Sequence, residues 1–119
     1  MNINIRKVDI KLSKQQESKY LEKILDICRF LKGVCPLGTG ELELGRITSH
    51  HQSGPVYSTK VRLEFPGKDF FLEEDAESLD SAFNVMKDKL EEEVRRYKDR
   101  LLSDRKKNGQ AARELKEYK

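Results

Sequence analysis

Residues 57–102 read YSTKVRLEFPGKDFFLEEDAESLDSAFNVMKDKLEEEVRRYKDRLL, and the hydrophobic period changes once along them. Tyr57, Thr59, Val61, Leu63 and Phe65 alternate with Ser58, Lys60, Arg62 and Glu64. A period of two is that of a strand with one dry face and one wet face. Pro66-Gly67-Lys68-Asp69 is a tight connection into Phe70-Phe71-Leu72, a further strand. From Leu79 onward, Ala82, Phe83, Met86, Leu90, Val94, Tyr97 and Leu101 keep the three-to-four spacing of an amphipathic helix, with Ser78 or Asp75 as its cap.

Upstream, Ile3 and Ile5, then Val8, Ile10 and Leu12, alternate with polar residues. A phase change near Arg6-Lys7 predicts one edge strand with a bulge. Ser13 with Gln16 three residues on is a capping box, and it opens a helix over about 14–32 that Gly33 stops. Pro36 to Gly40 reads as a loop. Leu42, Leu44 and Ile47 form a strand disturbed near Gly45. The order is β-α-β-β-β-α, an α+β fold. The last three strands make an antiparallel meander in a four-stranded sheet, and both helices lie on one face because the other face is polar. Residues 1–102 form the domain and 103–119 a charged tail. In the tail a polar break at Ser103 to Gly109 precedes a marginally helical Ala111-Leu115-Tyr118 pattern.

At 119 residues, of which 38% are charged, the chain is long enough for one domain with a small core. No run approaches the ~18 apolar residues that cross a bilayer, and the N-terminus lacks the apolar core of a secretion signal. Two cysteines, Cys28 and Cys35, are too few for a disulfide scaffold, so a reducing cytoplasmic setting is expected. The net charge of +3 is unevenly distributed: +4 over residues 1–32, −5 over 33–86 and +4 over 87–119. Dense lysine and arginine at both ends suit a polyanionic partner.

Catalytic and metal chemistry find little support. His50 and His51 are neighbours whose side chains point opposite ways on an extended segment, and Cys28 sits on the apolar helix face, so with Cys35 they make a poor zinc set. Gly38-Thr39-Gly40 precedes a strand and lacks a following Lys-Ser/Thr, so it reads as a turn and not a phosphate loop. Glu73-Glu74-Asp75 is assigned to the approach to a helix N-terminus, and Glu91-Glu92-Glu93 to intrahelical ion pairs. No cofactor, metal or small-molecule substrate is expected. The cations are better placed. Lys19, Lys23 and Arg29, with Lys32, line the first helix; Lys89, Arg96 and Arg100 recur at seven and four on the last, with Arg95 and Lys98 beside them. Two such ridges side by side could straddle an RNA backbone, in a mode without base stacking, since no aromatic is spare. The competing reading is that these are solvated helix faces, with the acidic sheet face or the tail binding a protein partner.

The opening Met1-Asn2-Ile3-Asn4-Ile5-Arg6 resembles the hibernation promoting factor and ribosome-associated inhibitor A family, long filed under sigma-54 modulation protein. So do Leu21-Glu22-Lys23-Ile24-Leu25, Phe65-Pro66-Gly67, Asp75 to Phe83, Asp88-Lys89-Leu90-Glu91 and Arg96-Tyr97-Lys98. The resemblance covers about residues 1–102 and implies a fold similar to double-stranded-RNA-binding domains. It also implies a stress-response translation inhibitor that docks on 16S rRNA of the small ribosomal subunit and occupies the mRNA and tRNA space at the A and P sites. Its basic positions fall on Lys23, Arg29, Lys89 and Arg96. Asp26 and Glu92 depart from the family pattern, standing where basic residues are common. With only about 17 residues after Leu102, the ribosome-pairing second domain of the long forms is expected to be absent.

Overall fold

A computed structural model describes residues 2–33, 38–47 and 56–115, with side chains as far as residue 103. Strand β1 (Asn2–Val8) is followed by helix α1 (Lys14–Cys28), which tightens into a 3-10 turn at Arg29–Leu31. Strands β2 (Thr39–Ile47), β3 (Val56–Phe65) and β4 (Lys68–Ala76) and helix α2 (Leu79–Leu115) complete the chain. The sheet order is β1-β2-β3-β4. β1 runs parallel to β2, with α1 as the crossover that parallel pairing requires, whereas β2, β3 and β4 form the expected antiparallel meander.

Local chemistry accounts for the element ends. The Ser13 hydroxyl accepts the Gln16 amide at 3.2 Å while the Gln16 side chain accepts the Ser13 amide at 3.0 Å, so the capping box is formed in both directions. Ser78, and not Asp75, caps α2: its hydroxyl accepts the Ser81 amide at 3.1 Å. Gly67 turns β3 into β4 with φ +90°, a conformation that costs glycine nothing. Gly40 is needed for space. A Cβ there would come within 2.6 Å of Leu63 Cδ2 and 2.9 Å of the Arg62 carbonyl oxygen.

Alternation sorts the strands into two faces. Leu42, Leu44, Val61, Leu63, Phe70 and Leu72 are buried beneath the helices, which contribute Tyr20, Ile24, Ile27, Leu31, Phe83, Met86, Leu90 and Val94 to the same core. The other face is open, and its rows follow from the register: Asn4, Glu41, Arg62 and Phe71 side by side, then Arg6, Glu43, Lys60 and Glu73.

Four boundaries differ from the sequence reading. β1 ends at Val8 and not near residue 12, because Asp9 takes φ 54° and breaks the ladder; Ile10 and Leu12 still pack against the core, which is why their periodicity extends the strand pattern. Thr39 and Gly40 open β2 instead of closing a loop, and Gly45 pairs regularly between Val8 and Ser58. Glu73, Glu74 and Asp75 belong to β4, where cross-strand pairing and not a helix dipole accommodates them. α2 does not break at Ser103 but runs to Leu115. A polar segment rich in Lys, Arg, Gln and Ala has the propensity to continue a helix already nucleated upstream, and the one Gly109 costs only about 1 kcal/mol.

Candidate nucleic-acid interface

The cations on the helices are positioned by the contacts that join the two helices. Tyr20 donates its hydroxyl hydrogen to Asp80, and its ring lies 4.6 Å from that of Phe83. Burial, with the Asp80 carboxylate adding to it, raises the Tyr20 phenol well above its ordinary range, so it remains a neutral donor. Further along, the Arg95 guanidinium and the Lys98 amino group stand 5.5 and 5.7 Å from the Phe30 ring centroid. The early part of α1 therefore meets the early part of α2, and late meets late. The helices run in the same direction.

This geometry sorts the expected cations into four groups. Lys19 and Lys23 share the flank of α1 that leads to Phe30, by the 3.6-residue repeat. Arg95 and Lys98 reach Phe30 from α2 across the interhelical groove, whereas Lys19 and Lys23 line a shallow depression formed by α1 residues alone, with Lys14, Ser18, Glu22 and Asp26. Lys89, Arg96 and Arg100 lie on the opposite flank of α2, toward β4. There Lys89 pairs with Glu74 at 2.5 Å, and Arg96 and Arg100 line a depression with Lys68 and Phe70. Arg29 points outward from α1 and is ion-paired with Asp26. Of the two expected ridges, only Arg95 and Lys98 meet the neighbouring helix, at Phe30, while Lys19 and Lys23 stand on the surface of α1 and the seven-and-four ridge turns toward β4. One heptad plus one turn repeats along a single helix line, and nothing in that spacing says which flank meets the neighbouring helix.

Asp26 and Glu92 have a shared role. Each departs from the basic pattern, and each ion-pairs with one of the basic positions that match it: Asp26 with Arg29, and Glu92 with Arg96 at 3.2 Å. These pairs are exposed at the surface, where a competing phosphate can replace the carboxylate at little cost.

The open sheet face is chemically different. Glu41, Glu43, Glu64, Asp69, Glu73 and Asp75 outnumber Arg6, Lys60 and Arg62 on it, as the negative middle segment predicts. Arg6 lies 3.8 Å from Glu43, and Lys60 lies 3.7 Å from both Glu43 and Glu73, a chain of ion pairs across four strands. Phe71 is 54% exposed there, with Arg62 5.5 Å from its ring centroid. The expectation of no spare aromatic is therefore wrong. Phe70 and Phe71 are adjacent on a strand, so only one of them can enter the core. The sequence reading also passed over Lys68, although the period of two puts it on the same side as Phe70.

Among the described residues no group of three His, Cys, Asp or Glu could hold a metal ion. Cys28 is buried and free, and burial pushes its thiol up to about 11, so it is protonated and unsuited to ligation. Cys35, His50 and His51 lie outside the described residues. No helix is long and apolar enough to cross a membrane.

No curated protein matches the sequence. Among solved structures, the N-terminal domain of Protein Y from Thermus thermophilus is similar over 82% of this chain and 99% of its own, with TM-score 0.60 and 17% identity. A ribosomal subunit interface protein from Coxiella burnetii is similar over 83% and 99%, with TM-score 0.63 and 15% identity. At such identities these likenesses establish the fold. The family described as sigma 54 modulation protein / S30EA ribosomal protein matches residues 3–102, from β1 into the exposed part of α2. With sequence and fold in agreement over that span, the chain belongs to this family of ribosome-associated factors.

Proposed function

We propose that the protein is a hibernation-type translation inhibitor of the cytoplasm that binds 16S rRNA of the small ribosomal subunit and blocks the mRNA and tRNA channel at the A and P sites. It acts by occupancy and without catalysis. The observation that carries this reading is the separation of charge between layers: the helices present Lys19, Lys23, Lys89, Arg95, Arg96, Lys98 and Arg100, while every strand carboxylate except Glu74, which pairs with Lys89, faces away on the open sheet. A phosphate backbone is attracted to the helix layer and repelled by the sheet, which fixes the orientation of docking. Contacts of this kind position the protein by shape and backbone and need no base-specific groups.

Co-sedimentation with purified small subunits through sucrose gradients in low and high salt tests the reading. Binding that weakens steeply with salt is expected, together with protection of 16S rRNA nucleotides around the A and P sites. A second reading, in which the acidic sheet face docks a protein partner, draws on the 54% exposure of Phe71 among carboxylates. Under that reading, salt-insensitive binding lost in Phe71→Ala replaces the RNA protection.

A further inference from the structure

We infer that Lys68, Arg96 and Arg100 form a phosphate pocket on the outer flank of α2, and that it holds an RNA backbone segment other than the one in the interhelical groove. This rests on the ribosomal RNA reading above and adds to it a residue and a second point of attachment.

Lys68 is the first residue after the β3–β4 turn, on the helix-facing side of the sheet at its edge. Its amino group stands 5.3 Å from the ring centroid of Phe70 and 5.9 Å from that of Tyr97. Two aromatic faces hold this cation in place without neutralising it. Lys68 and Arg100 form no ion pair among the described residues, and Arg96 has only its exposed pair with Glu92. Arg96 and Arg100 are one turn apart, so their guanidinium groups project side by side.

Together with Phe70, Glu93 and Tyr97 these three cations line a depression of about 90 Å³. Glu93 is the one carboxylate in the lining, against three cations. Two arginine forks and a lysine point charge are the groups that recognise a phosphodiester: the forks by paired hydrogen bonds, the lysine by charge alone.

Arg95 and Lys98 lie over Phe30 on the far side of the same helix. The two cation groups open on different flanks of α2, one toward α1 and one toward β4, so a backbone segment seated at one is directed away from the other. α2 is then a wedge between two backbone segments, and not one wall of a single cleft.

The test uses the full-length chain and purified small ribosomal subunits. In Lys68→Met with Arg100→Gln, the methionine keeps an apolar stem over the rings; in a matched variant Arg95 and Lys98 become Gln. The expected result is that each double variant keeps the wild-type melting temperature and flattens the log-affinity versus log-salt slope by about 1.4 to 1.8 units. Each is also expected to lose a different set of protected 16S rRNA nucleotides, and Lys68→Arg to restore those lost with Lys68. An unchanged slope and footprint in the Lys68/Arg100 variant overturns the pocket. Loss of the same nucleotides in both variants overturns the two-segment arrangement. Failure of the wild-type chain to bind small subunits at all overturns the ribosomal reading, and the RNA pocket with it.

Discussion

The two faces of the sheet are cut from the same strands, residue by residue in alternation, yet among the described residues one carries the core and the other is left largely to solvent. On the covered face Leu42, Val61, Leu63 and Phe70 are sealed beneath α1 and α2. On the open face the neighbouring positions, Glu41, Lys60, Arg62 and Phe71, meet solvent and one another. The difference shows how a chain with a net charge of only +3 gives its two sides different charge. Burial consumes one side of each strand, so all the strand carboxylates but Glu74 are driven to the far side, and the helices bring lysine and arginine to the near one.

The largest test of that division is Phe83→Ala, which empties a fully buried site between α2 and α1 and should cost about 3–5 kcal/mol of unfolding free energy in denaturant titration. Phe71→Ala, an equal truncation on the open face, should cost well under 1 kcal/mol. Equal losses would mean that the open face is covered after all. Binding provides the next contrast. Replacing Lys89 and Arg96 with Ala should flatten the salt slope for small-subunit binding by about 1.4 to 1.8 units, and replacing Lys60 and Arg62 should leave it unchanged. A slope that responds to the sheet pair would reverse the proposed orientation.

Tyr20→Phe removes the hydrogen bond from α1 to Asp80 and should cost about 1 kcal/mol. Because the folded phenol is raised above its ordinary value of 10.0, the neutral form is the one the fold favours. Its contribution is complete below about pH 10 and is lost as pH rises beyond that, so the variant should show a shallower alkaline decline in stability. An identical decline in both proteins would assign it to other groups. The smallest effect concerns the two acidic departures. Asp26→Asn with Glu92→Gln frees Arg29 and Arg96 from exposed ion pairs and should tighten small-subunit binding only a few-fold, read in the same titration. Weaker binding would make those carboxylates part of the recognition surface.

The sequence is legible where one physical constraint acts alone. The capping box at Ser13, the alternation of β3 and the apolar stripe of α2 are each read from a few residues, because spacing and burial demand the same pattern. Legibility fails where two constraints compete. Ile10 and Leu12 are apolar for core packing after the strand has ended, and Glu73 to Asp75 are strand residues whose composition resembles a helix preamble. The candidate site divides in the same way. Which cations lie on the helices follows from periodicity, but Lys68 enters through a turn, and its partners Arg96 and Arg100 lie thirty residues away in sequence.

By itself, then, the sequence determined the order of elements, the membership of the core and the separation of acidic strands from basic helices, since these depend on period and charge along a single segment. The tertiary structure decided the rest: the parallel seat of β1 beside β2, the common direction of the helices, and the flank of α2 on which each cation stands. Those outcomes depend on how Tyr20 meets Asp80 and how Phe30 receives Arg95 and Lys98. The apolar stripe turns one face of a helix to the sheet, but contacts between distant segments decide on which side of it the neighbouring helix lies, and no local pattern encodes that placement.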